Sequence, residues 1–384
     1  MLRHSVSAFV VAWAAVMAAH AAPINPTRDD EVIEVLPAAA GARGEERRQR
    51  EQLAKTPRDA ALALTVARRQ LARAHELGDP RYAGMALAAV DAWRSDAGAP
   101  DDVMLMRATL QQYLHEFDAA AGTLQQLLAR RGPPRPQAWL TLATVRRVQG
   151  RYADSDAACA QVPGAGSALH GAACLAENAA LRGDFLNART RLDGLLATPR
   201  LDATTRAWLL TTLAELEQRA ARPAAADAAY CAALQAASDD YARLAYADFL
   251  IEQRRAAQAL AVLSEQPRSD AVLLRLAIAG LQAGAPGAAA DIAEMRERIS
   301  AANERPDARR LHGREQAMFA LWVDGAPDRA LTLARGNVAQ QREPLDLLVF
   351  AQAARRSGSD GARDEVRRTV EAIGLRDERV MESL

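Results

Sequence analysis

The sequence predicts an all-α fold, a right-handed superhelical solenoid of antiparallel helix pairs with no sheet. Three observations point there. Alanine dominates a 384-residue chain that is 50% apolar, 25% charged and only 4% aromatic. Alanine is the strongest helix former and lets helices approach closely. Apolar residues recur at three- and four-residue intervals, with Gly or Pro punctuation every 12–20 residues and almost no strict alternation. Finally, one small residue follows another by twelve positions, and that pair itself recurs along the chain.

At the start of the chain, Arg3 and His4 precede the apolar run Ala8–Ala19, and Ala19-His20-Ala21 gives a small-x-small cleavage site. Residues 1–21 therefore read as a secretory signal peptide, too short to cross a bilayer and followed at once by polar sequence. No cysteine stands at the cleavage point, which argues against a lipid anchor. Residues 22–41 are a Pro- and Ala-rich extended leader whose apolar patch, Val32–Leu36, is a candidate docking segment. Residues 42–100 form an N-terminal helical region with a helix pair over Pro57–Trp93. Residues 101–344 carry the repeats, and 345–384 carry capping helices, with a further pair over Leu345–Ile373.

The small pairs are Ala108/Ala120, Ala143/Ser155, Ala176/Ala188, Ala214/Ala226, Ala247/Ala259, Ala277/Ala289 and, more weakly, Met318/Ala330. Two antiparallel helices meet closely where such side chains face each other. Seven residues after the first member come Gly150, Gly183, Gly284 and Gly325, which end a helix by adopting positive φ. Nine residues after it stands an aromatic (Phe117, Tyr152, Phe185) or a proline (Pro223, Pro286, Pro327), and proline is tolerated in a helix's first turn. Successive first members lie 35, 33, 38, 33, 30 and 41 residues apart. A helix–turn–helix unit of about 34 residues is the signature of a solenoid.

With Trp139, Leu142, Ala143, Gly150, Tyr152 and Ser155 in the best copy, and Leu175, Ala176, Gly183, Phe185, Ala188 and Leu192 in the next, the chain resembles the tetratricopeptide repeat family over about Asp101–Gln341. More loosely, Val32–Pro37, Gly78–Trp93 and the Cys159/Cys174 pair resemble secreted bacterial repeat proteins of poorly defined role. The resemblance implies a concave groove lined by the first helix of each pair, open to a protein or peptide partner. Where that family captures a peptide carboxylate it uses Asn with Lys or Arg, a mode that the single lysine, Lys55, does not support here.

Chemistry is sparse. HExxH, CxxC, GxGxxG, phosphate-loop and GxSxG patterns do not occur, so no catalytic residue, cofactor or metal is assigned. Forty-eight basic and 48 acidic residues balance, giving no electrostatic case for nucleic acid, and after the leader no segment is long and apolar enough to span a membrane. Cys159 and Cys174 fall on neighbouring antiparallel helices and are expected to form a disulfide in an oxidising compartment, the alternative being two buried thiols. His170, Cys174 and Glu177 share a helical face and would compete for zinc. His75, His115 and His312 are isolated and read as surface or capping residues, and Cys231 as a small buried group.

One residue after each packing alanine, a side chain should enter the groove: Thr144, Glu177, Glu215, Asp248, Ile278 and Phe319 are among them. Three successive carboxylates suggest an acidic mid-groove for a cationic partner, against the plainer reading that nearby arginines pair with them. Trp208, Tyr241, Phe319 and Trp322 fall at or near groove positions as candidate binding anchors. The expected function is a non-catalytic periplasmic scaffold for a protein or peptide, serving an envelope or secretion assembly. The alternative is an all-α envelope enzyme acting on polysaccharide or peptidoglycan, with groove carboxylates such as Glu177 and Glu215 as acid and base.

Overall fold

The computed structural model describes residues 42–94, 96, 98–305 and 308–384. The signal peptide, the leader and Val32–Leu36 lie outside them. The chain divides into two units, Met1–Arg48 and Gln49–Leu384. Of the first, only the opening of helix α1 (Ala42–Lys55) is described. All the helix hairpins belong to the second.

Twenty α-helices and no strand occur among the described residues. After α1 they form hairpins: α2 (Ala60–Leu77) with α3 (Pro80–Ala89), α4 (Asp101–Tyr113) with α5 (Phe117–Leu128), and α6 (Pro136–Val148) with α7 (Tyr152–Cys159). Next come α8 (Ala168–Leu181) with α9 (Phe185–Leu196), α10 (Ala203–Arg219) with α11 (Pro223–Ala236), and α12 (Asp240–Glu252) with α13 (Ala256–Leu263). The last are α14 (Asp270–Ala283) with α15 (Ala288–Asn303), α16 (Ala308–Trp322) with α17 (Pro327–Val338), and α18 (Pro344–Arg356) with α19 (Asp360–Ile373), closed by α20 (Glu378–Glu382). The fold is a helical solenoid.

The paired small residues are where the helices of a hairpin meet. Ala108, Ala120, Ala143, Ser155, Ala176, Ala188, Ala214, Ala226, Ala247 and Ala259 are all fully buried. The contact is explicit at one of them, where Ser155 Oγ donates to the Ala143 carbonyl at 2.8 Å. One pair fails: Ala289 is exposed, and its neighbour Ala288 packs instead, within 3.0 Å of where a Cβ on Gly280 would stand. Gly280 lets α14 and α15 approach one position earlier, so the register shifts by one residue.

The turn inside the hairpins demands a left-handed residue whatever the sequence offers. Gly150, Gly183, Gly284 and Gly325 supply it, with φ between 60° and 90°. Where glycine is missing, His115, Ala221 and Arg254 take φ of 56°, 53° and 59°. These residues hold a conformation that costs an L-residue about 1–2 kcal/mol.

Cys159 and Cys174 form a disulfide with their Cα atoms 5.7 Å apart, stapling α7 to α8. A loop of this length gives about 3 kcal/mol in the chain-entropy account. Cys174 sulfur is thereby committed, and His170 is occupied elsewhere: its Nδ1 lies 2.8 Å from Ser167 Oγ and its ring stacks on Trp208. The zinc reading of this helical face is therefore replaced by the disulfide. Cys231 is half-buried, its sulfur 3.2 Å from Tyr246 Oη.

Successive turns of the coil touch. The Arg342 amide donates to the Val148 carbonyl at 2.7 Å, and the Arg376 amide to the Leu181 carbonyl at 2.8 Å. His115 Nδ1 donates to the Arg310 carbonyl at 2.8 Å, and Arg310 pairs with Glu116 at 2.9 Å. Gly150 and Gly183 serve this closure as well as their turns, since an added Cβ would meet Ile373 at 3.0 Å and Arg376 at 2.8 Å. The segment after residue 344 is accordingly more than a peripheral cap. Eight of the 13 residues of α18 are buried, because the helix packs against α16, α17, α19 and α20.

Ala221 is solvent-exposed with φ +53°, so Ala221→Gly should stabilise the protein. Relief of the left-handed strain exceeds glycine's extra chain entropy by about 0.5–1 kcal/mol. Urea denaturation of the two proteins checks this; a loss of stability would mean the turn does not hold that conformation.

Candidate functional site

The first helices of the hairpins face inward, and the coil's closure turns the expected groove into a lumen. Its central cavity, of about 290 Å³, is lined by Arg147, Tyr152, Glu177, Glu215, Arg219, Tyr241, Asp248, Arg275, Arg314, Glu315, Glu343 and Arg379, among others. Glu177, Glu215 and Asp248 thus reach one cavity from α8, α10 and α12. Their charges do not stand alone. Arg147 Nη1 pairs with Glu177 at 2.8 Å and Arg275 Nη2 with Asp248 at 2.5 Å. Five arginines and five carboxylates line the space, so it carries no acidic excess of the kind that selects a cationic partner.

Glu215 differs from its neighbours. Its side-chain partner is Tyr241, whose hydroxyl donates to Glu215 Oε1 at 2.5 Å. The crowding of protein around the lumen pushes the Glu215 carboxyl above the usual range, against the pull of Arg219. The Glu215 charge in turn raises the Tyr241 hydroxyl well above its ordinary value. Tyr241 itself is 63% exposed, so the ring stands in the solvent of the lumen.

Arg219 and Tyr152 are a second feature of the wall. Arg219 is 4% exposed and neither Nε nor Nη2 has a hydrogen-bond partner, and Tyr152 Oη, on a side chain 3% exposed, also lacks one. Opposite them the N-terminus of α18 enters the lumen. Arg314 bridges Glu343 and Asp346, with Nε 2.6 Å from Asp346 Oδ1. Asp346 also receives the Asn337 amide at 2.7 Å and the Glu343 backbone N–H at 2.8 Å. Burial pushes its carboxyl up to about 6 despite Arg314.

The remaining expected groove residues divide. Thr144 Oγ1 donates to the Leu140 carbonyl of its own helix at 3.1 Å. Trp208 is half-buried on the His170 ring and packs with Leu192 and Leu209. Phe319 is 2% exposed and lies under the Arg296 guanidinium, which corrects its assignment to the groove. On the same helix Arg314 and Glu315 line the central cavity and Trp322 an adjoining one. Trp322 donates Nε1–H to Gln352 Oε1 at 3.1 Å. Ile278 lines that cavity too but is 1% exposed.

Sequence reasoning missed Arg147, Arg219, Arg275, Arg314, Glu343 and Arg379. Several pairs join residues about one repeat apart, such as Arg147 with Glu177, Asp248 with Arg275 and Arg314 with Asp346. An arginine one repeat from a groove carboxylate was the available signal. Among the described residues, no group of three or more His, Cys, Asp or Glu is arranged to hold a metal, and no helix is long and apolar enough to cross a membrane.

No protein-family model and no curated protein matches the chain. Solved structures similar to it include a tetratricopeptide repeat protein from Parabacteroides merdae, at 12% identity and a TM-score of 0.30 over 74% of this chain and 98% of that one. Another is the P58(IPK) TPR domain, at 17% identity and a TM-score of 0.23 over 83% and 96%. The small-residue contact twelve positions apart and the left-handed turn between paired helices, repeated along the coil, make this a helical solenoid of repeated hairpins.

Because the folded-state carboxyl of Glu215 is raised, its favourable contribution is present below the unfolded value and lost as pH rises through the folded one. Glu215→Gln keeps an acceptor for Tyr241 and removes the charge. It should raise Tm by about 2 °C near pH 7 and leave it unchanged near about pH 4. Thermal melts at both values check this; a lower Tm at neutral pH would show that Arg219 fully compensates the carboxylate.

Proposed function

We propose that the chain is a non-catalytic scaffold that holds a segment of another protein against the inner wall of its coil, in the periplasm, serving an envelope or secretion assembly. The observation that carries this is Tyr241. A large aromatic ring, 63% exposed, is fixed by its hydroxyl on Glu215 inside a concave cavity whose other charges are largely paired. Rigid, half-polar aromatics in concave, partly desolvated places are the usual anchors of protein recognition. The helical solenoid supports a binding role by analogy of fold. The Cys159–Cys174 disulfide supports an oxidising compartment, and so does the signal-peptide pattern of residues 1–21.

A second reading has an observation of its own. Glu215, with its carboxyl raised, and Glu177, paired with Arg147, line the same cavity, which is the arrangement of a general acid beside a charged carboxylate. On that reading the chain hydrolyses an envelope polysaccharide or peptidoglycan, and Glu215→Gln abolishes the activity.

A photo-crosslinking residue placed at Tyr241, with one at Leu186 as the control, tests the scaffold reading. Leu186 lies on α9 and is 69% exposed. The expected result is one crosslinked protein from Tyr241 and none from Leu186. Tyr241→Ala should weaken binding of that protein by about 2 kcal/mol. Equal crosslinking from both positions would place recognition outside the lumen.

A further inference from the structure

Next to the central cavity the lumen opens into a second one of about 470 Å³, within the range of sites for small organic ligands. Its floor is apolar, formed by Ile251, Ile278 and Leu348, each under a tenth exposed, with Leu345 and Trp322 beside them. Its rim carries Arg254, Arg355 and Arg356. No carboxylate pairs with these three among the described residues. Arg356 Nη1 donates to the Leu321 carbonyl at 3.1 Å and Arg355 Nη1 to the Glu382 carbonyl at 3.4 Å, while among the described residues the Arg254 side chain makes no hydrogen bond or ion pair. By contrast, Glu252 and Asp248 of the same cavity are already taken by Arg379 and Arg275. All three are solvent-exposed, and their like charges repel one another. Burial and the fields of Arg254 and Arg355 lower the Arg356 guanidinium below its ordinary value. Helix C-termini nearby offset only part of such a charge, about half a unit each.

We propose that this cavity is a binding site for an apolar monocarboxylate of the medium-chain fatty-acid class, with its chain on Ile251, Ile278, Leu348 and Trp322 and its carboxylate between Arg254, Arg355 and Arg356. A fork of guanidinium donors matches a carboxylate bidentately, and the bound anion relieves the repulsion within the cluster. The site goes beyond the scaffold reading and does not depend on it, since no partner protein takes part.

The probe is octanoate, titrated into the purified full chain by calorimetry and by Trp fluorescence, with octan-1-ol and acetate as controls that keep the chain alone or the charge alone. Octanoate should bind 1:1 with a Kd below about 1 mM. Each control should bind at least about tenfold more weakly. The fluorescence change should vanish in Trp322→Phe. Arg254→Gln, which removes no contact of the fold, should weaken octanoate at least about threefold, and the triple change R254Q/R355Q/R356Q at least about tenfold. Octan-1-ol binding as tightly as octanoate would overturn the proposal, as would undiminished binding in Arg254→Gln or no saturable octanoate binding to the folded protein. Failure of the Tyr241 crosslink would leave these results untouched.

Discussion

The contact between one turn of the coil and the next governs everything else in this molecule. The backbone bonds from Arg342 to Val148 and from Arg376 to Leu181 join residues nearly two hundred positions apart, and they leave little room for error. They favour glycine at 150 and 183, where an added Cβ would stand 3.0 Å from the Ile373 side chain and 2.8 Å from that of Arg376. They also bring the start of α18 into the hollow of the solenoid, so that Glu343 and Arg314 stand across from Glu177 and Glu215. Without this closure the inner face would be an open groove with isolated carboxylates. With it, the face becomes a lumen with an internal ion-pair network.

That network shapes the site more than it stabilises the fold. Asp346 is 1% exposed and Arg275 8%, and taking such groups from water costs about as much as their pairing returns. What the pairs provide is placement: Arg147 fixes Glu177, Arg275 fixes Asp248, and Arg314 fixes the first turn of α18 through Glu343 and Asp346. Against this paired background the exceptions stand out. Arg219 and Tyr152 keep unpartnered buried atoms, Glu215 relies on Tyr241, and the Arg254, Arg355 and Arg356 cluster lacks an acid.

The repeat unit was legible in the sequence because its cause is local. A small residue every turn of contact and a glycine at the turn are short-range requirements, and Ala143, Ser155, Gly150 and Gly183 express both. The reading slipped where a local compensation shifted the register, as Gly280 does for Ala289, and where Phe319 is buried beneath Arg296. It was silent where backbone geometry overrode residue type, at His115, Ala221 and Arg254. The positions of Glu177, Glu215 and Asp248 in the hollow followed from periodicity, but their electrostatic state did not. The arginines that pair with two of them come from neighbouring repeats, and α18 arrives from the next turn of the coil, which no local pattern encodes.

Closure of the coil is therefore the central claim, and amide hydrogen exchange of the Arg342 and Arg376 N–H groups tests it most directly. Both lie just outside helices, in connections that an open solenoid would leave to solvent. If the turns are joined as described, the two amides exchange as slowly as those in the middle of α10 and α18, and Gly183→Ala speeds the Arg376 amide. Exchange at the rate of exposed loops in the unaltered protein would mean an open coil and no lumen.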